Sequence, residues 1–259
     1  MNRGTSRPGG RWTLFATSLP DPRLRLLCFP FAGGGASTYR AWGEPMAAGG
    51  VEVWPVQLPG RENRLGEPAM DDLPALVRLL ADEFGEELSR LPYAFFGHSM
   101  GACIAYELVL EMRRRGLPEP ARLIASAHRA PHWPSLGPTY HDLPKDEFLV
   151  RLKEYGGTPE EVFAVPDLLD LLVPLLQTDF ALFERHRWAA GDPLGCPVTV
   201  LGGLDDTVSA EELTGWEELT AGPFEVRMVQ GDHFYLISSQ EQTIRMVRDL
   251  LTAAASGAG

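Results

Sequence analysis

The sequence predicts an α/β fold in which a mostly parallel sheet carries helices on both faces. Along the chain, short and almost continuously apolar runs alternate with amphipathic stretches of helical periodicity. Apolar runs without polar alternation are typical of strands that are buried on both faces of a parallel sheet. A third observation is a long helical segment that interrupts the alternation, and it predicts an insertion into the fold.

Apolar runs predict the strands, which we place at Leu24–Phe29, Val51–Gln57, Tyr93–Phe96, Leu123–Ala127, Val198–Leu201 and Phe224–Val229. Pro55 lies inside the second run and indicates an edge strand or a bulge, because proline cannot donate a backbone hydrogen bond. Helical patterns fill the intervals at Leu73–Leu91, Gly101–Arg115, Ala210–Leu219 and Gln240–Thr252. The helix Gly101–Arg115 has a typical C-terminal sequence, with three arginines at the negative pole of the helix dipole and Gly116 after them.

The alternation stops between residues 132 and 188, where only helical patterns occur, at Lys145–Tyr155, Thr158–Ala164 and Pro166–His186. A crossover between parallel strands needs only about a dozen residues, so this stretch predicts an insertion that would serve as a lid. We therefore predict one domain over residues 12–252, with a helical lid at about 132–188. Residues 1–11 and 253–259 are small, polar or glycine-rich, and we expect a disordered N-terminus and a flexible tail.

Composition excludes several classes of protein. The net charge of −12 argues against nucleic acid as the main partner, because phosphate binding requires a basic surface. No apolar run reaches the roughly 18 residues of a membrane-spanning helix, and the first residues lack the apolar core of a secretory signal. Three cysteines are too few and too scattered for a disulfide framework or a zinc site. We therefore expect a cytoplasmic protein without a metal and without membrane association.

Positions 97–101 read Gly-His-Ser-Met-Gly and fit the pattern G-x-S-x-G. A strand-like run precedes the pattern and a helical stretch follows it, which places Ser99 on a sharp strand-to-helix turn. Glycines suit this turn because bulkier side chains would collide across it. The arrangement is similar to the nucleophile elbow of the α/β-hydrolase fold. We predict Ser99 as the nucleophile and expect His98 to pack or to orient its neighbours; the alternative is a serine that only caps the helix.

A serine hydroxyl needs a base that accepts its proton, and in this fold the chain order is nucleophile, acid, histidine. His233 follows the last predicted strand and precedes the last predicted helix, so we predict it as the base. The acid is expected in the loop after the strand Val198–Leu201, where Asp205 and Asp206 are adjacent. We predict Asp205, because positions 202–208 fit the usual turn, and Asp206 remains its competitor.

An oxyanion hole needs two backbone N–H groups that point to the developing negative charge. Met100, directly after the nucleophile, is predicted to supply one of them. The other is expected in the glycine-rich loop after the first strand, where we predict Ala32 and keep Phe31 as the alternative. A phosphate-binding role for this loop is disfavoured, because the sequence has neither G-x-G-x-x-G nor a lysine followed by serine or threonine.

Several motifs together resemble the type II thioesterases that accompany polyketide and nonribosomal peptide synthases. They are F-P-F-A-G-G at positions 29–34, L-P-G-R-E at 58–62, the G-H-S-M-G pattern and G-D-H-F at 231–234. The insertion adds G-G-T-P at 156–159 and P-L-L-Q-T-D-F at 174–180. The resemblance covers about Leu24 to Leu250, and it has one departure, since Leu204 precedes the two aspartates of the acid loop.

The resemblance implies an enzyme that hydrolyses acyl groups from the phosphopantetheine arm of acyl or peptidyl carrier proteins and thereby clears stalled or aberrant units. We also expect no cofactor and a monomer. Such carriers are typically acidic, so the arginines are docking candidates: Arg61, Arg64, Arg113–Arg115, Arg129, Arg185 and Arg187. The competing interpretations are a stand-alone carboxylesterase or lipase, an acyltransferase, and a non-catalytic binding protein of the hydrolase fold.

Overall fold

The computed structural model describes residues 9–133 and 139–256, and within them six strands form one sheet. The strands are β1 (Leu24–Phe29), β2 (Val51–Pro55), β3 (Tyr93–His98), β4 (Arg122–Ser126), β5 (Val198–Gly203) and β6 (Phe224–Val229). All neighbours pair in parallel, in the order β2-β1-β3-β4-β5-β6. The predicted fold class is confirmed. β2 is an edge strand that ends at Pro55, which agrees with the position expected for this proline.

The described helices are α1 (Gly43–Ala47), α2 (Leu73–Leu88), α3 (Met100–Arg114), α4 (Lys145–Tyr155), α5 (Glu160–Phe163), α6 (Pro166–Glu184), α7 (Ala210–Thr214), α8 (Tyr235–Ser238) and α9 (Gln240–Ser256). The predicted helix over 210–219 divides into α7 and a 3₁₀ turn, Gly215–Leu219. The sequence analysis did not predict α1 and α8, because four or five residues are too few to show a helical period.

Helices cover both faces of the sheet, and β3 shows how its side chains divide between them. Phe95 packs edge to face against Phe29 in the apolar cluster that β1 and β3 form with α2 and α3. Phe96 points to the opposite face, where its ring lies 4.9 Å from that of Trp42 in the cluster with α1 and α9. Each fully buried side chain of this size contributes about 1.5–3 kcal/mol relative to exposure. The two clusters therefore fix the sheet between two helical layers.

The helical insertion, α4 to α6, lies between β4 and β5, as the sequence predicted for the helical patterns. It has its own apolar cluster, which includes Phe148, Leu176 and Phe180, and this cluster packs against Ala32 in the loop after β1. Residues 134–138 of the predicted lid lie outside the described residues. The insertion therefore contacts the carboxyl end of the sheet at β1.

The chain ends differ in part from the prediction. Residues 1–8 and 257–259 lie outside the described residues, whereas Gly10–Trp12 form a 3₁₀ turn within the segment expected to be disordered. The tail predicted as flexible over 253–259 is helical in its first four residues, since α9 continues to Ser256. Three alanines at 253–255 have the highest helix propensity and explain this extension. None of the described helices is long and apolar enough to cross a bilayer.

Candidate active site

Ser99 lies on a strained turn between β3 and α3. Its backbone has φ 53° and ψ −119°, a conformation that costs a non-glycine residue of the order of 1–3 kcal/mol. The Ser99 N–H donates to the Ser126 carbonyl at 2.7 Å, which ties the turn to the end of β4. The turn therefore holds the serine side chain at the carboxyl end of the sheet.

Both glycines of the G-x-S-x-G pattern are required by close contacts across this turn. A Cβ atom at Gly97 would lie 2.1 Å from the Gly101 carbonyl oxygen, and one at Gly101 would lie 2.2 Å from the Phe29 carbonyl oxygen. These atoms belong to the backbone and cannot move aside as a side chain could. The predicted reason for the glycines is confirmed.

His233 lies in the loop between β6 and α8, and its imidazole reaches the serine. His233 Nε2 is 3.0 Å from Ser99 Oγ, which is hydrogen-bonding distance for transfer of the hydroxyl proton. Only 8% of the residue is exposed. The structure thus brings together the serine and the histidine that the sequence analysis selected.

Asp206, and not Asp205, faces this histidine. The Asp206 carboxylate oxygens lie 3.0 and 3.1 Å from His233 Nδ1, and its side chain is fully buried. Burial alone would raise the pKa of Asp206, but the hydrogen bond and charge interaction with His233 outweigh it and lower that pKa below its ordinary value. The carboxylate therefore stays ionised and fixes the proton of the neutral imidazole on Nδ1.

The prediction of Asp205 is wrong, and the backbone pairing of its loop explains why. Asp205 is exposed and accepts a hydrogen bond from Gln230 Nε2 at 3.1 Å. Its N–H still donates to the Gly231 carbonyl, as the Leu204 N–H does to Val229, so the chain stays paired to the β6 side through Asp205. The chain leaves this pairing only after Asp205, and Asp206 is the residue that faces inward.

His98, the first variable residue of the G-x-S-x-G pattern, contacts the backbone of His233. Its Nε2 lies 2.9 Å from the His233 carbonyl oxygen and its Nδ1 lies 2.8 Å from Ser126 Oγ. Burial, together with the nearby charge of His233, lowers the pKa of His98 to about 3, so the ring is neutral. Because a carbonyl can only accept, Nε2 carries the hydrogen and Nδ1 accepts from the Ser126 hydroxyl. His98 therefore anchors the backbone of His233, in agreement with its expected orienting role.

The β1 loop, residues 30–35, lies beside Ser99 and contains the predicted oxyanion donor Ala32. Ala32 and Ser99 line the same pocket. Within the described part of the chain, neither the Ala32 N–H nor the Met100 N–H donates a hydrogen bond to the protein. Met100 is the first residue of α3, where backbone N–H groups have no partner within the helix. Both donors that the sequence analysis named are therefore available to a ligand.

Tyr155, at the end of α4, is a site residue that the sequence analysis missed. Its hydroxyl lies 3.0 Å from His233 Nε2 and 3.2 Å from Ser99 Oγ. Burial raises the pKa of Tyr155 to about 12, so the hydroxyl keeps its proton and competes with Ser99 for the lone pair on Nε2. The pocket at this point has a volume of only about 30 Å³, between the rings of Phe31, Phe180 and Phe234 and neighbouring apolar side chains. The insertion therefore closes the site.

Comparison with known proteins places this geometry in a family context. Residues 24–251 match the family described as the thioesterase domain. The chain is 38% identical over 245 residues to linear gramicidin dehydrogenase LgrE of Brevibacillus parabrevis, a match that covers 93% of this chain and 92% of LgrE.

Two solved structures share the fold over most of their length. RedJ, a thioesterase of the prodiginine pathway in Streptomyces coelicolor, matches with a TM-score of 0.82 and 36% identity, over 88% of this chain and 90% of RedJ. YbtT, a type II thioesterase of the yersiniabactin NRPS/PKS pathway, matches with a TM-score of 0.82 and 28% identity, over 93% of this chain and 97% of YbtT. Each match therefore covers most of both chains.

Proposed function

Because the chain belongs to the thioesterase family, we propose that it hydrolyses acyl thioesters on the phosphopantetheine arm of a carrier protein, with Ser99, His233 and Asp206 as its catalytic triad. The observation that carries the proposal is the hydrogen-bonded chain from Ser99 Oγ through the imidazole to a buried carboxylate. This is the arrangement that activates a serine for acyl transfer on several unrelated folds.

In the first half of the reaction, Ser99 Oγ attacks the thioester carbonyl carbon while His233 Nε2 takes the hydroxyl proton. The buried Asp206 carboxylate stabilises the imidazolium that forms. As the tetrahedral intermediate collapses, the carbon–sulfur bond breaks and the leaving sulfur receives the proton from Nε2. The products of this half are an acyl ester on Ser99 and the free thiol of the carrier arm.

In the second half, water replaces the thiol beside His233. Nε2 takes a proton from the water, the resulting hydroxide attacks the ester carbonyl, and the proton returns to Ser99 Oγ as the carboxylic acid leaves. In both halves the negative oxygen would lie against the N–H groups of Ala32 and Met100. Loss of one such donor typically lowers kcat by about 10²–10³-fold, so the β1 loop must be held accurately.

The related proteins support the proposed partner. RedJ and YbtT belong to biosynthetic pathways, and that of YbtT is an NRPS/PKS pathway. This supports acyl or peptidyl carrier domains as partners here and the clearing of stalled or aberrant acyl units as the role. A cytoplasmic location and a monomeric state belong to the same proposal. The helical insertion is its lid, because it closes the pocket over Ser99.

Burial argues against two of the docking arginines suggested by the sequence. Arg61 and Arg64 are buried and cannot contact a partner's surface. Arg113 pairs with Glu119, and Arg114 and Arg115 pair with Glu111. Arg129, Arg185 and Arg187 remain candidates. Arg187 is exposed, and its guanidinium donates to the backbone carbonyls of Glu184 and His186.

LgrE is named as a dehydrogenase, but this chain lacks the glycine pattern G-x-G-x-x-G that binds a dinucleotide.

A stand-alone esterase would use the same triad with an oxygen ester. We expect kcat/KM for an acyl group on a phosphopantetheinyl carrier protein to exceed that for the matched oxygen ester by at least about tenfold, or about 1.4 kcal/mol in transition-state stabilisation. Steady-state hydrolysis of the two substrates measures this ratio, and a preference for the oxygen ester would contradict the thioesterase proposal.

Replacing the triad acid tests the assignment of the two adjacent aspartates. Asp206→Ala should lower kcat by about 10³–10⁴-fold, because the imidazole loses the partner that fixes its tautomer and stabilises its charged form. Asp205→Ala is the matched control and should stay within about threefold of the wild type, since its exposed carboxylate contacts Gln230. Steady-state thioester hydrolysis measures both variants. The reverse order of effects would show that the loop adopts a different arrangement.

Removing the Tyr155 hydroxyl tests whether it competes with Ser99. Tyr155→Phe should raise the rate of serine phosphonylation by a fluorophosphonate by about 2- to 10-fold, the equivalent of one neutral hydrogen bond. Tyr140→Phe is the control, because this tyrosine lies in the same insertion with its ring stacked 5.0 Å from that of Phe180. A slower reaction of Tyr155→Phe than of the control would show that the hydroxyl assists the serine instead.

A further inference from the structure

A buried ion pair connects the helical insertion to the β1 loop. The carboxylate of Asp179, on α6, is fully buried and lies 2.7 Å from both terminal nitrogens of the Arg61 guanidinium. The same carboxylate accepts the Gly33 N–H, also at 2.7 Å. Charge-assisted bonds of this length are the strong members of their class. One carboxylate therefore joins three separate parts of the chain.

The pair holds the β1 loop by more than one group. Arg61 also donates from Nη1 to the Gly34 carbonyl at 3.2 Å, so the loop is held through an N–H by Asp179 and through a carbonyl by Arg61. Gly33 has φ +77°, a left-handed conformation that residues with a side chain rarely adopt. Glycine adopts it as readily as conformations with negative φ, so the backbone alone does not fix the peptide in this orientation. The loop at this point depends on external contacts for its orientation.

The contact at Gly33 bears directly on the neighbouring oxyanion donor. The Gly33 N–H lies in the same rigid peptide plane as the Ala32 carbonyl. Fixing that plane leaves only the two backbone torsions of Ala32 between it and the Ala32 N–H. A carboxylate that orients the Gly33 N–H therefore restricts the direction in which the Ala32 N–H points.

Stability alone does not account for such a pair. A buried ion pair can often be replaced by apolar side chains of similar volume without loss of stability, because removal of two charges from water offsets most of their attraction. The pair also contacts the β1 loop, which carries the Ala32 N–H whose placement affects stabilisation of the oxyanion. Its position beside Ala32 favours a role in the reaction.

We propose that Asp179 and Arg61 are positioning residues that hold the Ala32 N–H in the geometry required to stabilise the oxyanion, an inference that rests on the proposed function. Neither side chain touches the reacting atoms. They act through the Gly33 N–H and the Gly34 carbonyl. The geometry of the oxyanion hole therefore depends on the position of α6.

The test is Asp179→Asn, which keeps the shape of the side chain and removes its charge. A neutral amide oxygen cannot hold both nitrogens of Arg61 and the Gly33 N–H, so the loop should lose its fixed orientation. We expect kcat for acyl thioester hydrolysis to fall by about 10- to 100-fold, part of the effect of deleting a donor outright. KM should change by less than about threefold, because the β1 loop would still line the pocket.

A matched control separates positioning from general stability. Glu52, in β2, likewise has a buried carboxylate that accepts two bonds from one arginine, Arg25, and one from a backbone N–H, that of Leu19. Glu52 and Arg25 lie near the amino ends of their strands, at the opposite end of the sheet from Ser99. Glu52→Gln should lower the melting temperature much as Asp179→Asn does, yet leave kcat per folded enzyme within about threefold of the wild type.

The outcomes are distinct. A large loss of kcat in Asp179→Asn with little loss in Glu52→Gln supports the proposal, and equal kcat effects in the two variants overturn it. If Asp179→Asn does not fold, Arg61→Lys tests the proposal instead, since lysine keeps the charge but cannot bond to the Asp179 carboxylate through two nitrogens. An Arg61→Lys variant with wild-type kcat then overturns the proposal. A wild-type enzyme that hydrolyses no acyl thioester would instead contradict the proposed function itself.

Discussion

The strained turn at Ser99 is the constraint on which the rest of the site depends. It exists only because no Cβ atom is present at Gly97 or Gly101, which allows α3 to start against the end of β1. That close approach places the Met100 N–H beside the serine hydroxyl. Because the strands are parallel, the loops after β1, β3, β5 and β6 all emerge at the carboxyl end of the sheet. Ala32, Ser99, Asp206 and His233 meet there although they are distant in sequence.

The insertion is attached to the carboxyl end of the sheet in two different ways. α6 is held by the buried Arg61–Asp179 pair, whereas α4 reaches Ser99 and His233 through the neutral hydroxyl of Tyr155. A hydrogen bond to a charged group contributes about 1.5–3 kcal/mol, and a neutral one about 0.5–1.5 kcal/mol. Of these two contacts, the neutral one made by Tyr155 is therefore the less costly to break.

The sequence predicted those features that are encoded locally. Strands β1 and β6 match their predicted bounds, and the elbow was recognisable because a strand, two glycines and a helix follow one another within a few residues. Asp206 was not separable from Asp205, since the choice depends on how far the chain stays paired to the β6 side. Tyr155 and Asp179 act across 56 and 146 residues, and no local pattern marks such contacts. The signals in the sequence were the position of Tyr155 before two glycines and the place of Asp179 in the P-L-L-Q-T-D-F motif.

The central claim is that Ser99 is the residue that becomes acylated. Mass spectrometry of the protein after treatment with a fluorophosphonate, with peptide mapping of the product, tests it most directly. The geometry predicts a single phosphonyl group on Ser99, because this hydroxyl lies 3.0 Å from His233 Nε2 and lines the pocket at the carboxyl end of the sheet. Modification of another residue, or an unmodified protein after prolonged treatment, would contradict the account.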